Sequence, residues 1–391
     1  MRQHKSSHKK WMLATLIVIA AVSIMVVPAL SPSSEAPQSR HYIDIDGFDK
    51  MSPASTNEIT TNIPNNGLAA GGWYYLVNSV NNSNNITING TVHLIIANDV
   101  VLNMQGNTIV VNGTLYIHPQ PITASLPYTL GNGKVGGTAT GNGIIRLDSA
   151  SSALYNVATI QTTSGSGVTT VLLNGGTVNN YGTITTGVAV GAGINHQTTA
   201  VSSATINNYV VDTGDYDLNG VIEGGNNGIT LASSHGANIN NQGTVTGRGE
   251  GSTASSAGIQ NNAGVATITN YGTILGTGTN PSNVCRGISL QVTGGSVTNH
   301  GTISGTVIGV NTTVSNVTIT NATGTSSITG GTNGIYLGAD GKIDNSGTIA
   351  GNGGSSNYGG ISAAGYADII NRTGGKIIGG LQALKFFEGL L

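Results

Sequence analysis

Gly182, Gly243, Gly272, Gly301 and Gly347 all stand in one phrase, with Asn two positions before, Thr one after, and Ile or Val two after. Looser copies lie at Gly324 and Gly374. The long interval between 182 and 243 holds "TINNYVVDTG" at 205–214, a degenerate copy in which Val210 takes the glycine's place. Anchor spacing is even from 243 through 272 to 301, shorter and again even from 301 through 324 to 347, and intermediate from 347 to 374. A unit this short cannot bury a core by itself and gains one only by stacking on its copies. A chain of 391 residues would otherwise suggest two or three domains; tandem repetition makes it one body.

A second phrase runs in phase with the first. "GITL", "GIQ", "GISL", "GIYL" and "GIS" begin at Gly228, Gly258, Gly287, Gly334 and Gly360. Each Ile stands about half a coil before the next anchor, 229 before 243, 259 before 272 and 288 before 301. Two or three short strands in a period of this length predict an all-β fold, a single right-handed parallel β-helix with about 23–33 residues per coil. Alternate residues of each phrase point inward. Ile239, Ile268, Val297 and Ile343 are then expected to stack in one column, and Val245, Ile274, Ile303 and Ile349 in another. The Asn of the phrase lies at the bend and forms an amide ladder with its copies. The Gly is expected to supply a positive φ there, and the Thr faces outward. About twelve coils at the usual strand spacing give a rod of roughly 50–60 Å.

Composition agrees. Hydrophobic residues make up 38% and aromatics 5%, so the core is built of small β-branched side chains. A net charge of −2 with 8% charged residues gives no electrostatic pull toward nucleic acid. Arg2, Lys5, Lys9 and Lys10 precede the uncharged run at 11–27, and Ala29 follows; this reads as a signal peptide, 1–29, cut after Ala29. Residues 30–66 read as a linker or irregular lead-in, 67–145 as N-terminal coils, 146–380 as the repetitive coils, and 381–391 as a cap or truncated coil. Cys285, the single cysteine, excludes a disulfide framework and suits a small buried side chain.

The phrases "SVTNHGTISG", "KIDNSGTIAG" and "TITNYGTILG", alternating with "GISL" and "GIYL", resemble passenger domains of bacterial autotransporters of type V secretion, over roughly residues 170–380. "GGKIIGGLQALKFF" is similar to a phrase common in such passengers, and the stretch from Ile86 to Gln120 resembles the opening coils of exported β-helices with the pectin-lyase-like fold. The resemblance implies an exported, non-catalytic structural or adhesive module on the outer surface of a Gram-negative bacterium or in its periplasm. Its partner would be a host or neighbouring-cell surface protein or glycan, and its only membrane contact the signal peptide or a translocator. Autotransporters continue into a translocator barrel, whereas this sequence ends at Leu391, so the expectation is a truncated relative or one secreted by another route.

Acids number only 16, and one cluster stands out. In "DTGDYDLNGVIEGG", Asp215, Asp217 and Asn219 are spaced at alternate positions ahead of Gly220, the opening of an EF-hand-type calcium loop. Asn226 stands where the closing Glu belongs, so Glu223 or Asp212 would complete the shell. The alternative reading of the cluster is a solvated acidic loop. A second reading of the whole chain is a polysaccharide-active β-helix enzyme. It would use "SHG" at 234–236 with Asp212 and Asp215, and Arg286 further on, but the paired carboxylates of such hydrolases are missing. His93, His118, His196 and His300 are widely spaced and expected on the coil surface. Tyr181, Tyr209, Tyr271 and His300 share the slot before the anchor position. Stacked, they would pack a corner or offer an aromatic stripe to a sugar or protein.

Overall fold

The computed structural model describes residues 39–387 apart from 123–129, 140, 142, 166–167, 213–216, 251–255, 279–283 and 354–357. The expected signal peptide and Asp215 lie outside the described residues. Those residues contain no helix and form a right-handed parallel β-solenoid. Three parallel sheets of thirteen, twelve and twelve strands make its faces, called first, second and third here. One coil shows the plan: Ala237–Asn241 in the first sheet, Thr244–Gly247 in the second and Ser256–Asn261 in the third. The next coil repeats it with Ala266–Asn270, Thr273–Gly276 and Cys285–Leu290. The Asn-x-Gly-Thr-Ile phrase therefore spans two strands and the corner between them, and Gly-Ile-x-Leu is the third strand.

Register turns the phrases into columns. Ile239 pairs with Ile268, Ile268 with Val297, Val297 with Ile319 and Ile319 with Ile343, all buried. Val245, Ile274, Ile303, Ile328 and Ile349 do the same in the second sheet. Ile229, Ile259, Ile288, Val310, Ile335 and Ile361 do so in the third. Each such side chain contributes about 1.5–3 kcal/mol by leaving water, so the stack needs neither disulfides nor a large aromatic core. Cys285 is free and buried, as its small apolar character suggested.

The corner glycines differ from expectation. None of Gly182, Gly243, Gly272, Gly301 and Gly347 has a positive φ. Glycine is required there because adjacent coils meet: a Cβ on Gly301 would collide with the carbonyl oxygen of Gly272, and one on Gly272 with that of Gly243.

Three copies of the phrase were misplaced by sequence. With coils counted from Trp73–Leu76, Asn208 and Gly220, not Val210, hold the corner in the sixth; 210–219 is an inserted hairpin of Val210–Asp212 against Asp217–Asn219. Ser326 replaces the expected Gly324, and Gly375 the expected Gly374, since Thr302 pairs with Ser327 and Thr348 with Lys376. Coil length also varies beyond the expected range on both sides. Tyr74 pairs with Leu94, closing a coil shorter than any in the repetitive part, and Leu115 pairs with Leu154 across one longer than any there. The long coil carries an insertion between Thr114–Pro119 and Lys134–Thr138.

Residues 39–66 form a hairpin of His41–Ile43 with Asp49–Met51, then the strand Asn57–Ile59, which opens the first sheet. Ile59, Ile63 and Leu68 join the main core at that end. At the other end Gln382–Phe386 pairs with Gly359–Ala363 as a third-sheet strand, so this part of the tail completes a coil and is not a cap.

Candidate functional site

The candidate calcium residues sit on the inserted hairpin and just after it. Asp217 and Asn219 are exposed on one side of their strand, and Leu218, between them, is buried against Ile43 and Val157. Asp212 faces Asp217 across the hairpin. Glu223 lies apart, on the second-sheet strand Val221–Gly224, where Arg248 Nε comes within 3.2 Å of its carboxylate and the Thr185 hydroxyl donates to it at 3.4 Å. Among the described residues no three His, Cys, Asp or Glu groups gather as a metal site.

The residues of the enzyme reading are not brought together. His235 occupies the turn between Asn227–Leu231 and Ala237–Asn241, with its amide bonded to Ser233 Oγ at 3.1 Å. Asp212 is at the opposite end of the first-sheet strands, a strand length of roughly 15 Å away. Arg286 is half-buried in the third sheet, and burial lowers its pKa.

Two histidines expected at the surface are buried. His196 points inward on the third sheet, its Nε2 3.0 Å from the carbonyl of Ser202, and burial lowers its pKa. His118 is covered by the N-terminal hairpin. Its Nδ1 lies 3.2 Å from the carbonyl of Ile43, which can only accept, so that nitrogen carries the proton. Its Nε2 then accepts from His93 Nδ1 at 3.2 Å. Burial pushes the His118 pKa down to about 4, against a smaller opposing pull from Asp44. Burial lowers His93 as well. For Asp44 burial acts upward, but the Lys50 ammonium, 2.6 Å away, and other donors bring its pKa below the usual carboxylate range.

His93 also belongs to an aromatic ladder that sequence reading missed. Trp73, His93, Tyr116 and Tyr155 stack in register on the first sheet's outer face, with ring centroids 3.9, 4.4 and 4.5 Å apart and planes within 9°. The signal was present in the common pattern Thr91-Val-His93, Thr114-Leu-Tyr116 and Thr177-Val-Asn179. The same outward column continues as Asn179, Asn207 and Asn240, then Thr269, Thr298 and Thr320. At the corner, the four aromatics form two pairs rather than one stripe: Tyr181 on Tyr209 at 4.8 Å, and Tyr271 on His300 at 4.6 Å, with Gln242 between the pairs. Tyr271 is exposed, whereas Tyr181 is partly buried.

No protein-family model, curated protein or solved structure matches the chain.

Proposed function

We propose that the protein is an exported, surface-exposed solenoid that acts by adhesion and carries no catalysis. One observation carries the reading. Over six successive coils, both outward positions of the first sheet are uncharged hydroxyl or amide side chains, from Thr177 and Asn179 to Thr318 and Thr320. A column of short donors and acceptors at a fixed repeat of about 4.8 Å suits an extended polar partner, a glycan or protein of another cell surface. The basic-then-apolar N-terminus supports export, and the phrases shared with autotransporter passengers support the same setting.

The test has two arms. Residues 1–40 fused to a phosphatase that is active only outside the cytoplasm should give activity. The protein should bind to cell surfaces saturably, and Thr269→Asp with Thr298→Asp should weaken that binding. Phosphatase activity confined to the cytoplasm would remove the export reading. Absence of saturable binding would remove adhesion, and release of reducing ends from a pectic polysaccharide would replace it with the enzyme.

A further inference from the structure

From the fifth to the ninth coil, the column that follows the corner Asn is aromatic except at one place. Its members are Tyr181, Tyr209, Gln242, Tyr271 and His300, and the Asn residues just before them pair in register. Tyr181 on Tyr209 and Tyr271 on His300 stack at about one coil spacing, with planes 20° and 6° apart, so these rings lie across the rod axis. Tyr209 and Tyr271 therefore each turn their second face toward the seventh coil, where Gln242 carries no ring. They stand two coil spacings apart, roughly 10 Å. A flat guest halfway between them would lie about 5 Å from each ring, within stacking range.

Gln242 leaves the side toward Tyr271 open. Its Oε1 accepts from the Val210 amide at 3.4 Å, which draws the side chain toward the sixth coil. Tyr271, although His300 stacks on one of its faces, is 55% exposed. The inserted hairpin turns the other way, since Leu218 packs on Val157 and Ile43, toward the N-terminal coils. Two residues to either side of Gln242 stand Asn240 on the first sheet and Thr244 on the second, both at outward positions. Asn240 Oδ1 has no hydrogen-bond partner in the protein. The slot thus presents ring faces along the rod and polar groups around its edge, and none of the five residues that line it is charged. That division matches a pyranose, whose C–H faces are apolar and whose hydroxyls lie around its rim. A hydrocarbon ring would instead set an apolar edge against the amides of Asn240 and Gln242.

We propose that the slot between Tyr209 and Tyr271 binds one neutral pyranose of a surface glycan, with Tyr271 as its stacking platform and Asn240, Gln242 and Thr244 as its hydrogen-bonding rim. The proposal gives the adhesive reading a substrate class and rests on it for biological setting, but its binding chemistry stands alone.

The full chain would be titrated with the methyl glycosides of glucose, galactose, mannose and N-acetylglucosamine, followed by saturation-transfer NMR. At least one should bind saturably at millimolar concentration. Tyr271→Ala should weaken binding roughly tenfold, and Tyr271→Phe should retain it, because the ring and not the hydroxyl is the platform. Gln242→Tyr should abolish binding with unchanged circular dichroism, because a fifth ring fills the slot and continues the stack. Tyr366→Ala, at an exposed tyrosine away from the slot, should bind as the parent does. Four outcomes would overturn the proposal: no glycoside binds, Gln242→Tyr binds like the parent, Tyr366→Ala loses as much as Tyr271→Ala, or the slot takes up indole and no sugar. Glycoside binding by a protein that fails to adhere to cells would sink the adhesive function and leave the slot assignment intact. Adhesion by a protein that binds no glycoside would do the reverse.

Discussion

Asn270 Nδ2 donates to Asn299 Oδ1 across 2.8 Å, and the same contact recurs at every corner from Asn156 through Asn371, eight bonds of 2.7–2.9 Å joining nine side chains. Each amide also reaches backbone carbonyls of the corner, as Asn299 does to Gly301 and Ser327, both at 3.0 Å. Asn299→Ala would remove one donor from each of those carbonyls and leave Asn321 Oδ1 without the amide it accepts from in a dry interior. A loss of about 1–3 kcal/mol is expected. Thr302→Ala, on the outer face, should cost under roughly 0.5 kcal/mol. Denaturant melts of the two variants decide between them, and equal losses would reject the ladder as a stabilising element.

The corner glycines make a sharper contrast. An alanine methyl at 301 would press on the carbonyl oxygen of Gly272, a backbone atom that cannot move without breaking the coil spacing. Gly301→Ala should therefore cost about 1–3 kcal/mol or more. At Gly324 a Cβ meets nothing within 4 Å and φ is not positive. Gly324→Ala should be neutral or slightly stabilising, through a less flexible unfolded chain. Thermal melts showing the same loss at both sites would mean that Gly324, not Ser326, is the true corner.

How much of this was legible follows from what a repeat records. The inward columns and the amide ladder were readable because each requires one residue type at one place per coil. The reason for the glycine was not readable, because phrase spacing does not reveal how closely the next coil approaches. His118 was misread for a related reason. It occupies an outward corner slot and is buried only because Ile43, 75 residues earlier, folds over it.

The N-terminal hairpin should loosen in acid. His118 is neutral when folded, with a pKa near 4 against 6.5 for the free side chain. Below pH 6.5 the unfolded or opened state takes up a proton that the closed state refuses, so stability falls as pH drops from 6.5 to 4 and then levels. His93, also lowered, acts in the same direction, and Asp44, held low beside Lys50, adds a loss at still lower pH. The His118 contribution is on the order of 3 kcal/mol. Trp73, stacked on His93 and 5.1 Å from Tyr42, reports the opening by fluorescence in a Trp11→Phe chain. His118→Phe should flatten the change between pH 6.5 and 4. An unaltered profile in that variant would place the acid-sensitive group elsewhere.

Calcium at the hairpin would have to compete with an existing ion pair. Of the four candidate ligands, Glu223 is the one held by Arg248. If Asp215, Asp217, Asn219 and Glu223 take the ion together, Arg248→Ala should tighten calcium binding and Glu223→Gln should weaken it. Titration calorimetry of both variants reads the competition. No calcium heat at millimolar concentration in either would remove the hairpin from consideration as a cation site.

Deleting residues 381–391 should undo one coil and no more. Gln382–Phe386 is the third-sheet strand of the last coil, and Leu384 continues the column of Ile335 and Ile361. Without it, Ala367–Asn371 and Lys376–Gly379 lose the strand that closes their coil, and Ile361 loses the side chain stacked on it. Ile369 and Ile377, already only partly buried, are then held from one side alone. In a solenoid each coil touches only its neighbours, so the loss stays local until the coil of Gly341–Asn345, whose own column is complete. Hydrogen exchange should show fast amides from 367 onward and unchanged protection across Ala237–Asn241. The freed third-sheet edge at Gly359–Ala363 should also raise self-association in sedimentation, since an unpaired strand recruits another chain. Loss of protection along the whole rod would mean that the last coil nucleates the stack, and an unchanged exchange pattern would mean that Gln382–Phe386 does not pair in solution.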